Sequence, residues 1–153
     1  MPERFFREED SLGRVRKNFG IKNMLLKFLR CDRLKAVNKM ADCIFCKIIA
    51  GEIPSTKVYE DDYCYAFKDI APQMPVHIIV VPKKHIANVL EYTAEDIELA
   101  GRIQLAIANI AREQGFAENG FRVINNCGRD AMQTVHHIHY HILAGGMMGE
   151  KIV

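Results

Sequence analysis

The sequence predicts an α+β domain with a largely antiparallel sheet. Short apolar runs, alternating or continuous and bounded by turn residues, recur between residues 57 and 143. Only one long segment, Thr93 to about Gln114, repeats apolar residues at helical spacing. Strands therefore dominate, and a single long helix interrupts them rather than alternating with them.

Each element has a local reason. "CIFCKIIAGEIP" reads as a short apolar helix or turn closed by Gly51 and Pro54. "KVYEDDYCYAFKDI" gives strands around 57–60 and 63–68, with Asp61 and Asp62 at the turn. "HIIVVPKKH" is a nearly continuous apolar run, a strand buried on both faces and stopped by Pro82. Thr93 caps the long helix, with Asp96 three residues on in a capping-box arrangement, and Gly115 ends it. Its apolar stripe is Ile97, Ala100, Ile103, Ile107 and Ile110. "GFRVINN" is a further strand, "CGRDAMQ" a turn-rich stretch, and "TVHHIHYHIL" the last strand.

The chain has 153 residues, 49% hydrophobic and 26% charged, as expected of one globular domain with a sizeable core. No run is long and apolar enough for a membrane span, and the N-terminus lacks the apolar stretch of a secretory signal. Five cysteines without a disulfide framework fit a reducing compartment, so the expected location is the cytoplasm. Charge divides the chain. Residues 1–39 hold eleven Lys or Arg against five Asp or Glu, a net +6; residues 40–153 hold ten against fourteen, a net −4. The expected organisation is a basic N-terminal extension, 1–39, and a domain, 40–153. The acidic balance of that domain argues against nucleic-acid binding. Within the extension, Ile21, Met24, Leu25, Phe28 and Leu29 fall at helical spacing among Lys22, Lys27 and Arg30. Such a pattern suits a membrane surface or a partner, but a poorly ordered extension or a true start at Met40 accounts for it better, and no membrane association is expected.

Four of the six histidines stand in "HHIHYHIL", residues 136–143. In a strand His137, His139 and His141 share one face, and Ile138, Tyr140 and Ile142 the other. If the apolar set faces the core, the imidazoles face a cleft or solvent; burying three imidazoles without partners is costly. Imidazole attacks electrophiles, carries protons near neutral pH and binds metals. A second chemical signal is the Cys43-x-x-Cys46 pair. Thiolates at that spacing commonly bind zinc, and no thioredoxin-like pattern accompanies them.

His137-Ile138-His139-Tyr140-His141-Ile142-Leu143 resembles the signature of the histidine triad (HIT) family. "CIFCKIIAGEIPSTKVYEDD", "AFKDIAPQMPVHIIVVPKKHI" and "GFRVINNCG" resemble its Hint branch, in the same order, so the resemblance runs from residue 40 to about 146. It implies a five-stranded sheet with one long and one short N-terminal helix, dimerising into a ten-stranded sheet. It implies a hydrolase of purine nucleoside phosphoramidates, releasing AMP or GMP from an amine. His139 would be the nucleophile forming a nucleotidyl-histidine, His141 would bond the phosphate or leaving-group region, and His137 would orient the site. Gln133 and Thr134 would contact phosphate, Asn126 phosphate and ribose, and Asp69 the ribose hydroxyls. Phe45, Phe67 and Ile70 would shape the base pocket. The resemblance also implies a structural zinc on Cys43, Cys46, His77 and His137; on the residues alone, His85 reads as surface and Cys31, Cys64 and Cys127 as unpaired thiols. Two departures bear on specificity. Met132 stands where the family has Gly, and "LAGGMMGEKIV" lacks the family's Arg after the triad. The alternatives are a dinucleotide polyphosphate hydrolase, a nucleotide-binding scaffold with incidental hydrolysis and, more weakly, a zinc-binding interaction module.

Overall fold

The structure is a computed structural model that describes residues 42–150. The basic extension and its helical pattern over 21–30 lie outside the described residues. Five strands form one antiparallel sheet: β1 (Lys57–Glu60), β2 (Cys64–Lys68), β3 (Val76–Pro82), β4 (Arg122–Ile124) and β5 (Tyr140–Ala144), in the order β1-β2-β3-β5-β4. Asp61 makes the first hairpin turn by accepting the backbone N–H of Tyr63 and of Cys64, at 2.8 and 2.7 Å.

The central strand β3 is covered on both sides, as its unbroken apolar run requires. Ile78 and Val80 join Ile138, Ile142 and the buried face of the long helix α2 (Ile97–Glu113). Ile79 and Val81 join Phe67 and the short helix α1 (Ile44–Ile49), which contributes Phe45 and Ile48. The capping box forms: the Asp96 carboxylate accepts the backbone N–H and the hydroxyl of Thr93, at 3.0 and 2.9 Å. Gly115 takes the left-handed conformation (φ 76°) that ends α2.

The structure corrects the sequence reading in two places. Ile97 is 73% exposed and leaves the helix stripe, while Leu99 and Ala106 enter the core. Ile97 belongs to the α-helix, and at 3.6 residues per turn it lies about 120° round the axis from Ile103, off the face buried through Leu99, Ile103, Ile107 and Ile110. The last strand is also shorter than the alternation suggests. It begins at Tyr140, and the chain bends over residues 135–137, where the His137 N–H donates to the Val135 carbonyl at 2.9 Å. Only His141 of the three imidazoles lies in the strand.

Candidate active site and metal centre

The bend gives the three imidazoles different surroundings. All are sheltered: His137 is 0% exposed, His139 4%, and His141 half-buried. Of the two expected surroundings, a cleft or solvent, open solvent is excluded: the rings are buried or half-buried and have partners, which offsets the cost of burial.

Main-chain groups assign each ring its tautomer. The Nε2 of His137 lies 2.9 Å from the Pro82 carbonyl. A carbonyl only accepts, so Nε2 carries the proton and Nδ1 presents a lone pair. His139 is reversed: its Nδ1 lies 2.7 Å from the His137 carbonyl and donates to it, which leaves Nε2 as the free nucleophilic nitrogen. His77 Nδ1 accepts the Gln73 backbone N–H at 3.1 Å, so its Nε2 carries the proton. That Nε2 is 2.9 Å from His141 Nδ1 and 3.4 Å from Asp69 Oδ2. His141 thereby accepts at Nδ1 and bears its own proton on Nε2. Burial is the main reason each triad ring has a lowered pKa. His137 falls to about 4, with His85 and His139 adding repulsion, and His141 to about 4, with His139 and His77 adding theirs.

The lone pair of His137 points into a cluster of four possible metal ligands. Its Nδ1 lies 3.4 Å from Cys43 Sγ, 3.5 Å from Cys46 Sγ and 3.2 Å from His85 Nδ1; Cys46 Sγ is 3.3 Å from His85 Nδ1. Tetrahedral zinc with its usual bond lengths separates such ligands by about 3.3–3.8 Å. Donor set and spacing fit that ion. Burial, reinforced by Cys43, pushes the Cys46 thiol up to about 12, so only a cation would make thiolates favourable here.

The fourth member of this cluster is His85, and the expected ligand His77 is absent from it. The sheet decides this. His77 is near the start of β3, paired with Leu143, and so sits diagonally against His141. His85 follows the other end of β3, beyond Pro82, where His137 lies. Strand rise puts His77 and Pro82 about 17 Å apart, too far for one ion. His85 is half-buried rather than on the surface. Asp69, His77 and His141 form a second grouping of possible ligands. There the Gln73 N–H keeps the proton on His77 Nε2, so this group is arranged to pass a proton rather than hold a cation.

The remaining candidates divide. Phe45 and Phe67 meet edge-on at 5.7 Å, and Phe45 reaches the His139 ring at 5.2 Å. Ile70 is fully exposed beside Asp69, whose Oδ1 accepts the Ala71 N–H at 2.8 Å. Thr134 is exposed. Gln133 departs from its expected role. Its two amide N–H groups donate to the carbonyls of Ala87 (2.7 Å) and Val135 (3.0 Å), and its Oε1 accepts the Gly128 N–H at 3.0 Å. With both side-chain donors used, it braces the loop instead of meeting a phosphate. Asn126 is half-buried; its neighbour Asn125, which sequence reasoning missed, donates to the His139 carbonyl at 2.8 Å. His77 as partner of His141, and His85 as a member of the cysteine cluster, were also missed. The signal available for His85 was its place just past the strand-ending Pro82.

A five-stranded antiparallel sheet ending in three alternating imidazoles defines a histidine-triad domain. The chain belongs to the HIT domain family, which matches residues 50–148. A histidine triad protein from Clostridium difficile is 54% identical, with a TM-score of 0.70 over 72% of this chain and 96% of that one. A HIT family hydrolase from Clostridium thermocellum is 49% identical, with a TM-score of 0.71 over 73% and 97%. The purine nucleoside phosphoramidase of Escherichia coli K12 is 45% identical over 111 residues, 72% of this chain and 93% of that protein.

Proposed function

We propose that this protein hydrolyses purine nucleoside phosphoramidates through a covalent nucleotidyl-histidine on His139. The observation that carries the reading is the 2.7 Å bond from His139 Nδ1 to the His137 carbonyl, which leaves Nε2 unprotonated. The similarity to the Escherichia coli phosphoramidase supports the substrate class. Attack by Nε2 on the α-phosphorus expels the amine, which takes up a proton, and water then cleaves the phosphorus–nitrogen bond to His139 and releases the nucleoside monophosphate. His141, with its proton on Nε2, supplies a hydrogen bond or proton on the phosphate and leaving-group side, and His77 holds that tautomer. The Asp69 carboxylate, at the cleft beside Ile70, suits ribose hydroxyls, and Phe45 and Phe67 offer an apolar wall for the purine.

Zinc would be held by Cys43, Cys46, His85 and His137, tying α1 to the turn after β3 and to the bend before β5; its contribution is structural. His137 is then a ligand and carries no proton in the reaction. A second copy of the chain fits the β4 edge of the sheet, beside exposed Phe121 and Val123, and the outer face of α2, where Leu105 is 59% exposed. Among the described residues no helix is long and apolar enough to cross a membrane. Free thiols at Cys43 and Cys46 suit the cytoplasm.

The test is acid quenching of a reaction with adenosine 5′-monophosphoramidate, followed by peptide mass spectrometry. An adenylyl group on the peptide carrying His139 is expected, and His139→Ala should lose both the adduct and turnover, by roughly 10⁴-fold or more for loss of a nucleophile. Wild-type turnover retained in a folded His139→Ala protein would end this reading.

A further inference from the structure

We infer that Phe45 is a positioning residue for the nucleophile, fixing the plane of the His139 ring from its place between the two cysteines of the metal cluster. This rests on the reading of His139 as nucleophile. The hydrogen bond to the His137 carbonyl fixes one atom of the His139 ring. Two torsions, χ1 and χ2, set the ring, and one hydrogen bond restrains only a combination of them, so coupled changes still swing Nε2 off the line of attack. Two edge contacts remove that freedom. The Phe45 ring stands 5.2 Å from the His139 ring at 72°, and the His141 ring 5.0 Å from it at 77°. Both contacts have the edge-on geometry that aromatic rings prefer.

Phe45 has unusual backing for this task. It lies in α1, a helix of only six residues, next to Cys46 and two residues after Cys43. It is 7% exposed, and its ring also meets His137 edge-on at 6.0 Å. His137 is both a member of the metal cluster and the source of the carbonyl that holds His139. The cluster therefore reaches the nucleophile by two routes: through the His137 main chain to Nδ1, and through α1 and the Phe45 ring to the ring plane. A wall of the purine pocket needs a large apolar surface at this place; it does not need a ring edge set against an imidazole.

The two roles separate in kinetics. Phe45→Leu keeps apolar bulk and removes the ring edge. With adenosine 5′-monophosphoramidate its kcat should fall roughly tenfold or more, in line with the sensitivity of reacting groups to small misplacements. Phe45→Tyr, which keeps the ring, should restore most of kcat. Phe67→Leu, which alters the pocket beyond Phe45, should act mainly by raising KM. Zinc per chain is measured for every variant, and rates are compared per loaded chain. A readout independent of turnover is the His139 Nδ1–H signal in ¹⁵N-edited NMR. It should be sharp in wild type and broadened by exchange in Phe45→Leu, and in wild type after zinc is stripped. Wild-type kcat in zinc-loaded Phe45→Leu, with or without a raised KM, overturns the inference. If that variant does not fold, Phe45→Met takes its place, and a wild-type kcat with an unaltered His139 signal in it overturns the inference instead. Wild type without turnover would fail the hydrolase reading, while the NMR comparison would still decide the role of Phe45.

Discussion

The molecule holds two clusters of imidazoles of opposite design. At one end of β3, His137 and His85 present nitrogens to two thiols, with His137 kept in that tautomer by the Pro82 carbonyl. At the other, His77 and His141 share a proton next to Asp69, and the Gln73 N–H sets their tautomers. The difference teaches that the main-chain group offered to His137 and to His77 decides whether each ring turns a lone pair or a proton towards its neighbours. A carbonyl on the far nitrogen leaves a lone pair inside the cluster; an N–H on the far nitrogen leaves a proton there. His139, the nucleophile proposed above, is bonded to the carbonyl of His137 from the first cluster and meets the ring of His141 from the second.

The largest effect that would break this contrast is on catalysis. His141→Ala should lower kcat by roughly 10²–10⁴-fold, the range for loss of a positioned proton donor, with normal zinc content. Steady-state rates and metal analysis check both halves. The cluster of Cys43, Cys46, His85 and His137 should answer in stability instead. Cys43→Ser should lose zinc and lower thermal stability by at least about 2 kcal/mol, or some ~8 °C in Tm, read by differential scanning fluorimetry with and without a chelator. A chelator that leaves wild-type Tm unchanged would remove the metal side of the contrast.

A subtler distinction comes from pH. The pKa of His141 is about 4 in the folded chain, against about 6.5 for a free imidazole, because it is buried near His139 and His77. Its folded form binds fewer protons than its unfolded form. This contribution to stability is complete above about pH 6.5 and declines as pH falls towards 4. Between those limits His141→Ala should lose stability with acid less steeply than wild type, as urea midpoints at each pH would record.

The smallest expected effect lies at Met132, the non-glycine residue with positive φ (56°) among the described residues, and 74% exposed. A side chain in that conformation costs about 1 kcal/mol or slightly more, and glycine relieves it while adding freedom to the unfolded chain. Met132→Gly should be neutral or stabilise by up to about 1 kcal/mol in urea denaturation. Any accompanying change in preference between small and bulky amines would assign Met132 to the leaving-group side of the cleft.

By itself the sequence determined the elements and much of the chemistry. Their signals are local: the turn at Asp61, the box between Thr93 and Asp96, the unbroken apolar run of β3, and the alternation that marked His139. Local patterns act within a few residues and survive in any fold that uses them. The tertiary structure alone decided the partners. Spacing could not say that the chain bends at 135–137, sending His137 towards the cysteines while His141 stays in the sheet. Nor could it say which end of β3 meets them, and so that His85 and not His77 completes the cluster. The same holds for Gln133, whose donors go to the carbonyls of Ala87 and Val135. Tautomers depend on a main-chain carbonyl or N–H, distant for His137 and near in sequence for His77 and His139, and every residue type carries those groups, so no side-chain pattern announces them.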